Sequence, residues 1–110
     1  MTSKVKVHMN ICDRITTIEV NASADGTYDV HVISPCAHVR EFAKGLEKLT
    51  LTDIIDKKDG KVINRFREVK MSANCSVPAG LLNAAWLEAG MIAQSRARKE
   101  KGNEIEFVFD

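Results

Sequence analysis

The sequence predicts an α+β domain in which a three-stranded antiparallel meander and a C-terminal strand form one sheet, with helices packed on one face. Three observations predict it. Apolar and polar residues alternate with period two through much of the first thirty-three positions, apolar residues recur at helical spacing between positions 39 and 92, and alternation returns in "EIEFVFD" at the end. A meander with one apolar face needs a cover, which the helical stripes supply.

In residues 4 to 11, Val5, Val7, Met9 and Ile11 fall on one face and Lys4, Lys6, His8 and Asn10 on the other, as in a half-buried strand. "RITTIEV" is a second, β-branched run, and "NASADG" brings hairpin chemistry through Asp25 and Gly26. The third strand, "TYDVHVI", sets Tyr28, Val30 and Val32 on one side. Ser34 and Pro35 then read as the cap and first position of a helix whose stripe is Val39, Phe42, Ala43, Leu46 and Leu49. "LTDIIDKK", 51 to 58, predicts one or two helical turns started by Thr52 and broken at Asp59-Gly60. Val62, Phe66 and Val69 predict a third helix to about Lys70. The fourth starts at about Val77 with Pro78 in its first turn, buries Leu82, Ala85, Trp86, Ala89 and Ile92, and ends between Ala93 and Lys101. Ile105, Phe107 and Phe109 alternate in a closing strand that fits either edge of the sheet.

No repeat, linker or composition shift divides the chain, so residues 1 to 110 are expected to form a single domain. With 45% hydrophobic and 28% charged residues it has the balance of an ordinary globular protein, and a net charge of +1 gives no general attraction to nucleic acid or membrane. The basic run "SRARKEK" at 95 to 101 reads as a solvated helix end whose cations face the helix dipole. "MTSKVKVHMNI" lacks the apolar core of a secretory leader, and no apolar stretch approaches membrane-spanning length. An odd count of three cysteines in such a chain argues for free thiols in a reducing, cytoplasmic setting.

Those cysteines are the candidate site. Cys12 falls between the first two strands, Cys36 where the third strand meets a helix, and Cys75 on the approach to the last helix. A helix N-terminus presents unpaired N–H groups and partial positive charge, which favour thiolate over thiol. No C-x-x-C pair is present, so a shared metal site, structural thiols and a lone reactive cysteine all stay open. Asp13, beside Cys12, and His38, two positions after Cys36, are candidate fourth ligands, although two residues apart on a regular helix point in different directions. His8 and His31 fall on the polar parity of their strands. Gly-rich phosphate loops, a Gly-x-Ser-x-Gly elbow and H-E-x-x-H are all missing, so a thiol enzyme using Cys75 or Cys36 is the one catalytic alternative.

The order of cysteine, strand, "VNASADGTYDVHV" hairpin, "SPC" at a helix start, "LEKLTLTDI" and "NCSVPAGLLNAAW" resembles the U-type iron-sulfur cluster scaffolds, the NifU N-terminal or IscU-like family, over roughly Asn10 to Ala93. "SPCAHV" with "NCSVP" is also similar to a group of small prokaryotic proteins, many from methanogens. The scaffold resemblance implies that Cys12, Cys36 and Cys75 converge at one end of the sheet and bind an iron-sulfur cluster, or zinc in its place. Three thiolates leave a coordination position open, which suits transfer to another protein. The chain departs from the scaffold pattern in having Arg14 where the family has an aspartate, with Asp13 one place early, and Asn74 where the family has a histidine. It also lacks the Leu-Pro-Pro-Val-Lys segment and adds "EIEFVFD". The resemblance thus points to a small metal or iron-sulfur binding protein, scaffold- or carrier-like and not an enzyme. The alternative is an interaction or regulatory domain on the same fold, with structural cysteines and no metal.

Overall fold

A computed structural model describes residues 2–109. Its strands are β1 (Thr2–Met9), β2 (Arg14–Ala22), β3 (Tyr28–Ile33) and β4 (Lys48–Leu49), joined antiparallel in the order β1-β2-β3-β4. The helices are α1 (Ala37–Ala43), α2 (Leu51–Ile55), α3 (Lys61–Glu68), α4 (Val77–Glu88) and α5 (Gln94–Glu100). The fold is α+β, as expected. Val5 pairs with Ile18, Val7 with Thr16 and Val20 with Val30, so the apolar parity of all three long strands falls on one face. The turn between β2 and β3 uses Gly26 at φ +84, and the Asp25 carboxylate accepts from the Thr27 N–H at 3.1 Å and the Thr27 hydroxyl at 2.6 Å.

Helix α4 covers β1 and β2. Gly80 lets it come close: a Cβ there would stand 2.3 Å from Val7 Cγ2. Phe42, Ile18, Leu46, Leu49, Leu81, Val20, Val62 and Val77 are fully buried between sheet and helices. At the far end of α4, buried Glu88 ties helix to sheet. It accepts from the Ser3 hydroxyl at 2.9 Å and from the Ala22 N–H at 2.8 Å.

Several boundaries differ from expectation. Helix α1 is capped by Cys36, not Ser34. Ser34 instead folds back, its hydroxyl accepting from the Cys36 N–H at 3.2 Å and sharing a hydrogen bond with Thr16 at 2.8 Å. Helix α1 stops at Ala43 because Gly45 turns the chain at φ +88, so Leu46 and Leu49 are buried from a loop and from β4. Helix α2 is capped by Thr50, two residues before the expected Thr52, through a capping box with Asp53.

Helix α4 buries Val77, Gly80, Leu81, Ala84, Ala85 and Glu88. Of its expected stripe, Ala85 is buried, Leu82 is half-buried and Trp86 is 37% exposed. The helix is apolar nearly all round, so spacing alone does not fix its rotation. It ends in a Schellman arrangement. Gly90 at φ +77 donates to Leu87 O at 3.1 Å and Met91 donates to Trp86 O at 2.9 Å, which makes α5 a separate helix.

The expected closing strand is not in the sheet. Residues 101–109 carry no regular secondary structure, and Ile105, Phe107, Val108 and Phe109 are all exposed. The fourth strand is β4, which pairs only Tyr28 with Leu49 and Asp29 with Lys48. Ile11, expected on the buried face of the first strand, lies in the turn after it and is 73% exposed.

Candidate thiolate site at one end of the sheet

The antiparallel register decides where the cysteines lie. Met9 pairs with Arg14, so the turn carrying Cys12 and Asp13 closes the end of β1 and the start of β2. Ile33 pairs with Thr17, so the end of β3, with Cys36 just beyond, belongs to that same end. The third element arrives from the helical layer: the Ser76 N–H donates to Met9 Sδ at 3.5 Å, which fixes the start of α4, and Cys75 before it, beside the end of β1. All three chain segments that carry a cysteine therefore meet one end of the sheet.

Within that end the thiols differ. Cys12 is exposed in a tight turn, where its N–H donates to Met9 O at 3.1 Å and the Asp13 N–H donates to Asn10 O at 3.2 Å. Asp13 sits at φ +56, a left-handed position that aspartate tolerates better than most residues. Cys36 and Cys75 are half-buried and pack against the core. Cys36 receives the Arg14 Nη1 at 3.6 Å. Its side chain closes no cap hydrogen bond. Even so, the Val39 N–H first, then the His38 N–H, with the charges of Arg14 and Arg40 behind them, draw its thiol below the ordinary value against the opposing effect of burial. Cys36 is thus the thiol whose surroundings favour the anion.

The fourth-ligand candidates divide on geometry. Asp13 shares the turn with Cys12. His38 is exposed on a regular helical turn and contributes its backbone amide, not its ring, to the surroundings of Cys36. Among the described residues, no group of three or more His, Cys, Asp or Glu side chains is arranged to hold a metal ion. The elements carrying the three thiols meet, but the thiols do not form a ready-made coordination shell.

Two other features escaped sequence reasoning. Ile15 and Ile33 are 51% and 56% exposed on the uncovered face at the cysteine end. An open apolar groove of about 460 Å³ runs between α2, α3 and α4, lined by Ile54, Ile55, Ile63, Leu82, Trp86 and Ile92 among others. The groove contains no cysteine. The exposed isoleucines had a signal in the sequence, since they occupy the polar parity of their strands.

Fold and site together define a small α+β protein with free cysteines at one sheet end and a helical layer on one face. The chain belongs to a family of unknown function, DUF6951, whose model matches residues 3–100. No curated protein and no solved structure matches it.

Proposed function

We propose that this protein binds a soft metal ion or an iron-sulfur cluster through Cys12, Cys36 and Cys75 and carries it to another protein. The observation that carries the reading is the common end of the sheet reached by the three cysteine-bearing segments. The donor set fits such a group in kind, since all three thiols are free and soft thiolates select zinc, copper(I) or iron-sulfur clusters over hard cations. Cys36 is the anchoring ligand, because its surroundings already favour the thiolate a metal requires. Cys12 and Cys75 join it from loops, and Asp13, in the turn of Cys12, is the better placed of the two candidate fourth donors, as a ligand that can be exchanged. When bound, the group supplies an exchangeable coordination position; Arg14 balances the sulfur charge. The exposed Ile15 and Ile33 offer an apolar contact for the receiving protein beside the site.

Metal analysis of protein purified without oxygen, followed by reconstitution with iron and sulfide, tests the reading. Near-stoichiometric iron or zinc is expected, and Cys36→Ser is expected to lose most of it. Absence of both metals together with no cluster absorbance after reconstitution refutes the proposal.

A second reading is supported by the packing of Cys36 and Cys75 against the core. In it the thiols are small apolar residues and the protein is an interaction domain. Replacing all three cysteines by serine separates the two: this reading expects partner binding to survive, whereas the first expects loss of metal.

A further inference from the structure

The sheet has an open edge and the chain has a strand-like segment with nothing to pair with. Strand β1 is eight residues long and has β2 on one side only. Its outward side chains include Lys4, Lys6 and His8, all exposed. After α5, which buries none of its residues, Lys101 turns the chain at φ +67 and residues 102–109 run on outside the sheet. In that segment Ile105, Phe107 and Phe109 share one parity, at 81%, 64% and 88% exposure, while Glu104 and Glu106 share the other with exposed Val108. Such alternation is that of a strand with one face meant for burial, and a free edge with unpaired backbone groups is the place a strand can add.

We propose that residues 103–109 of one chain add as a strand to β1 of a second copy, and that the reciprocal exchange closes a two-fold dimer. Charge decides the occupant. A strand laid against β1 with its apolar parity toward the helical layer turns Glu104 and Glu106 to the outer face, where Lys6 and Lys4, the latter already 3.3 Å from Glu19 on β2, stand on the neighbouring strand. The lengths agree, because seven residues and eight residues of strand span roughly 23 and 26 Å. The area is sufficient too. The exposed parts of the four phenylalanines of both tails, with the comparable surface they cover on the partner, amount to roughly 900–1,500 Å², and Ile105 adds to an area that overlaps the roughly 1,200–2,000 Å² of specific interfaces. Exchange between copies is favoured over folding back because the tail follows a separate helix, α5, that buries none of its residues in the core. The inference does not depend on the metal reading, since no cysteine takes part.

The test is oligomeric state by light scattering and sedimentation velocity, with circular dichroism to show that each variant is folded. The wild-type chain is expected to be a dimer at tens of micromolar. The tail variant E104K/E106K and the edge variant K4E/K6E are each expected to shift to monomer, because like charges then face each other. Mixed one to one, the two variants are expected to regain the dimer, because both exchanged contacts become complementary. A monomeric wild-type chain, a dimer that survives removal of residues 103–110, or a mixture that stays monomeric would each overturn the proposal. If either reversed variant proves unfolded, the tail truncation decides.

Discussion

Replacing Glu88 with alanine should be among the most damaging single changes near the sheet. The carboxylate is buried, and its two oxygens accept from Ser3 at the start of β1 and Ala22 at the end of β2, 85 and 66 residues away in the chain. Hydrogen bonds to a charged group contribute about 1.5–3 kcal/mol each. Ala22 is exposed enough for water to replace part of its bond, so the lower end applies and the pair amounts to about 3 kcal/mol. For a domain of this size that is a large share of a total stability of about 5–15 kcal/mol. It corresponds to a fall in Tm of roughly 12–20 °C. Glu88→Gln can still accept from Ala22 and can donate to the Ser3 hydroxyl, so it should lose about 1 kcal/mol. Urea unfolding followed by the single tryptophan, with Ser3→Ala completing a double-mutant cycle, measures both. An alanine variant within about 0.5 kcal/mol of wild type, or strict additivity with Ser3→Ala, would refute the reasoning.

Three further outcomes follow from particular contacts. Gly80→Ala sets about 1 kcal/mol of helix propensity against overpacking onto Val7, which costs about 1–3 kcal/mol, so urea melts should show net destabilisation, relieved in the Val7→Ala background. Thr50→Ala removes the capping box of α2 and should cost about 1 kcal/mol in the same melts, while Thr52→Ala should cost less. The rate of Cys36 alkylation, read by peptide mass spectrometry, should rise at lower pH in the folded protein than in denaturant, and Arg14→Gln should move the profile back upward. The sign for stability agrees. A depressed thiol pKa contributes stability that is present above the unfolded value and is lost as pH falls through the folded one.

The sheet was largely legible because its signal is local. Period two in β1, β2 and β3 and the Asp25-Gly26 turn need only neighbouring residues. The start of α4 was legible for the same reason, through Pro78. What failed depends on distant partners. The rotation of α4 is set by Gly80 against Val7 and by Glu88 reaching Ser3, neither visible in a helix whose apolar residues surround it. Ser34 looked like a cap, but Thr16 on β2 engages its hydroxyl. The terminal alternation in Ile105, Phe107 and Phe109 reads as a strand, but the segment lies outside the sheet, because alternation carries no information about a pairing partner. For the cysteines, element ends were readable; the shared end of Cys12 and Cys36 follows from strand register, but that of Cys75 needs the Ser76–Met9 contact, and side-chain direction depends on turns such as the left-handed Asp13.

The two margins of the sheet are unequal. At β4 only two residues are offered, and α2 begins almost at once after Leu49, so that border is too short to template a neighbour. Ribbon-like stacking of sheet upon sheet needs a receptive border on each side, and this molecule presents one. Its exposed strand can therefore be satisfied once, without seeding a filament through the opposite border.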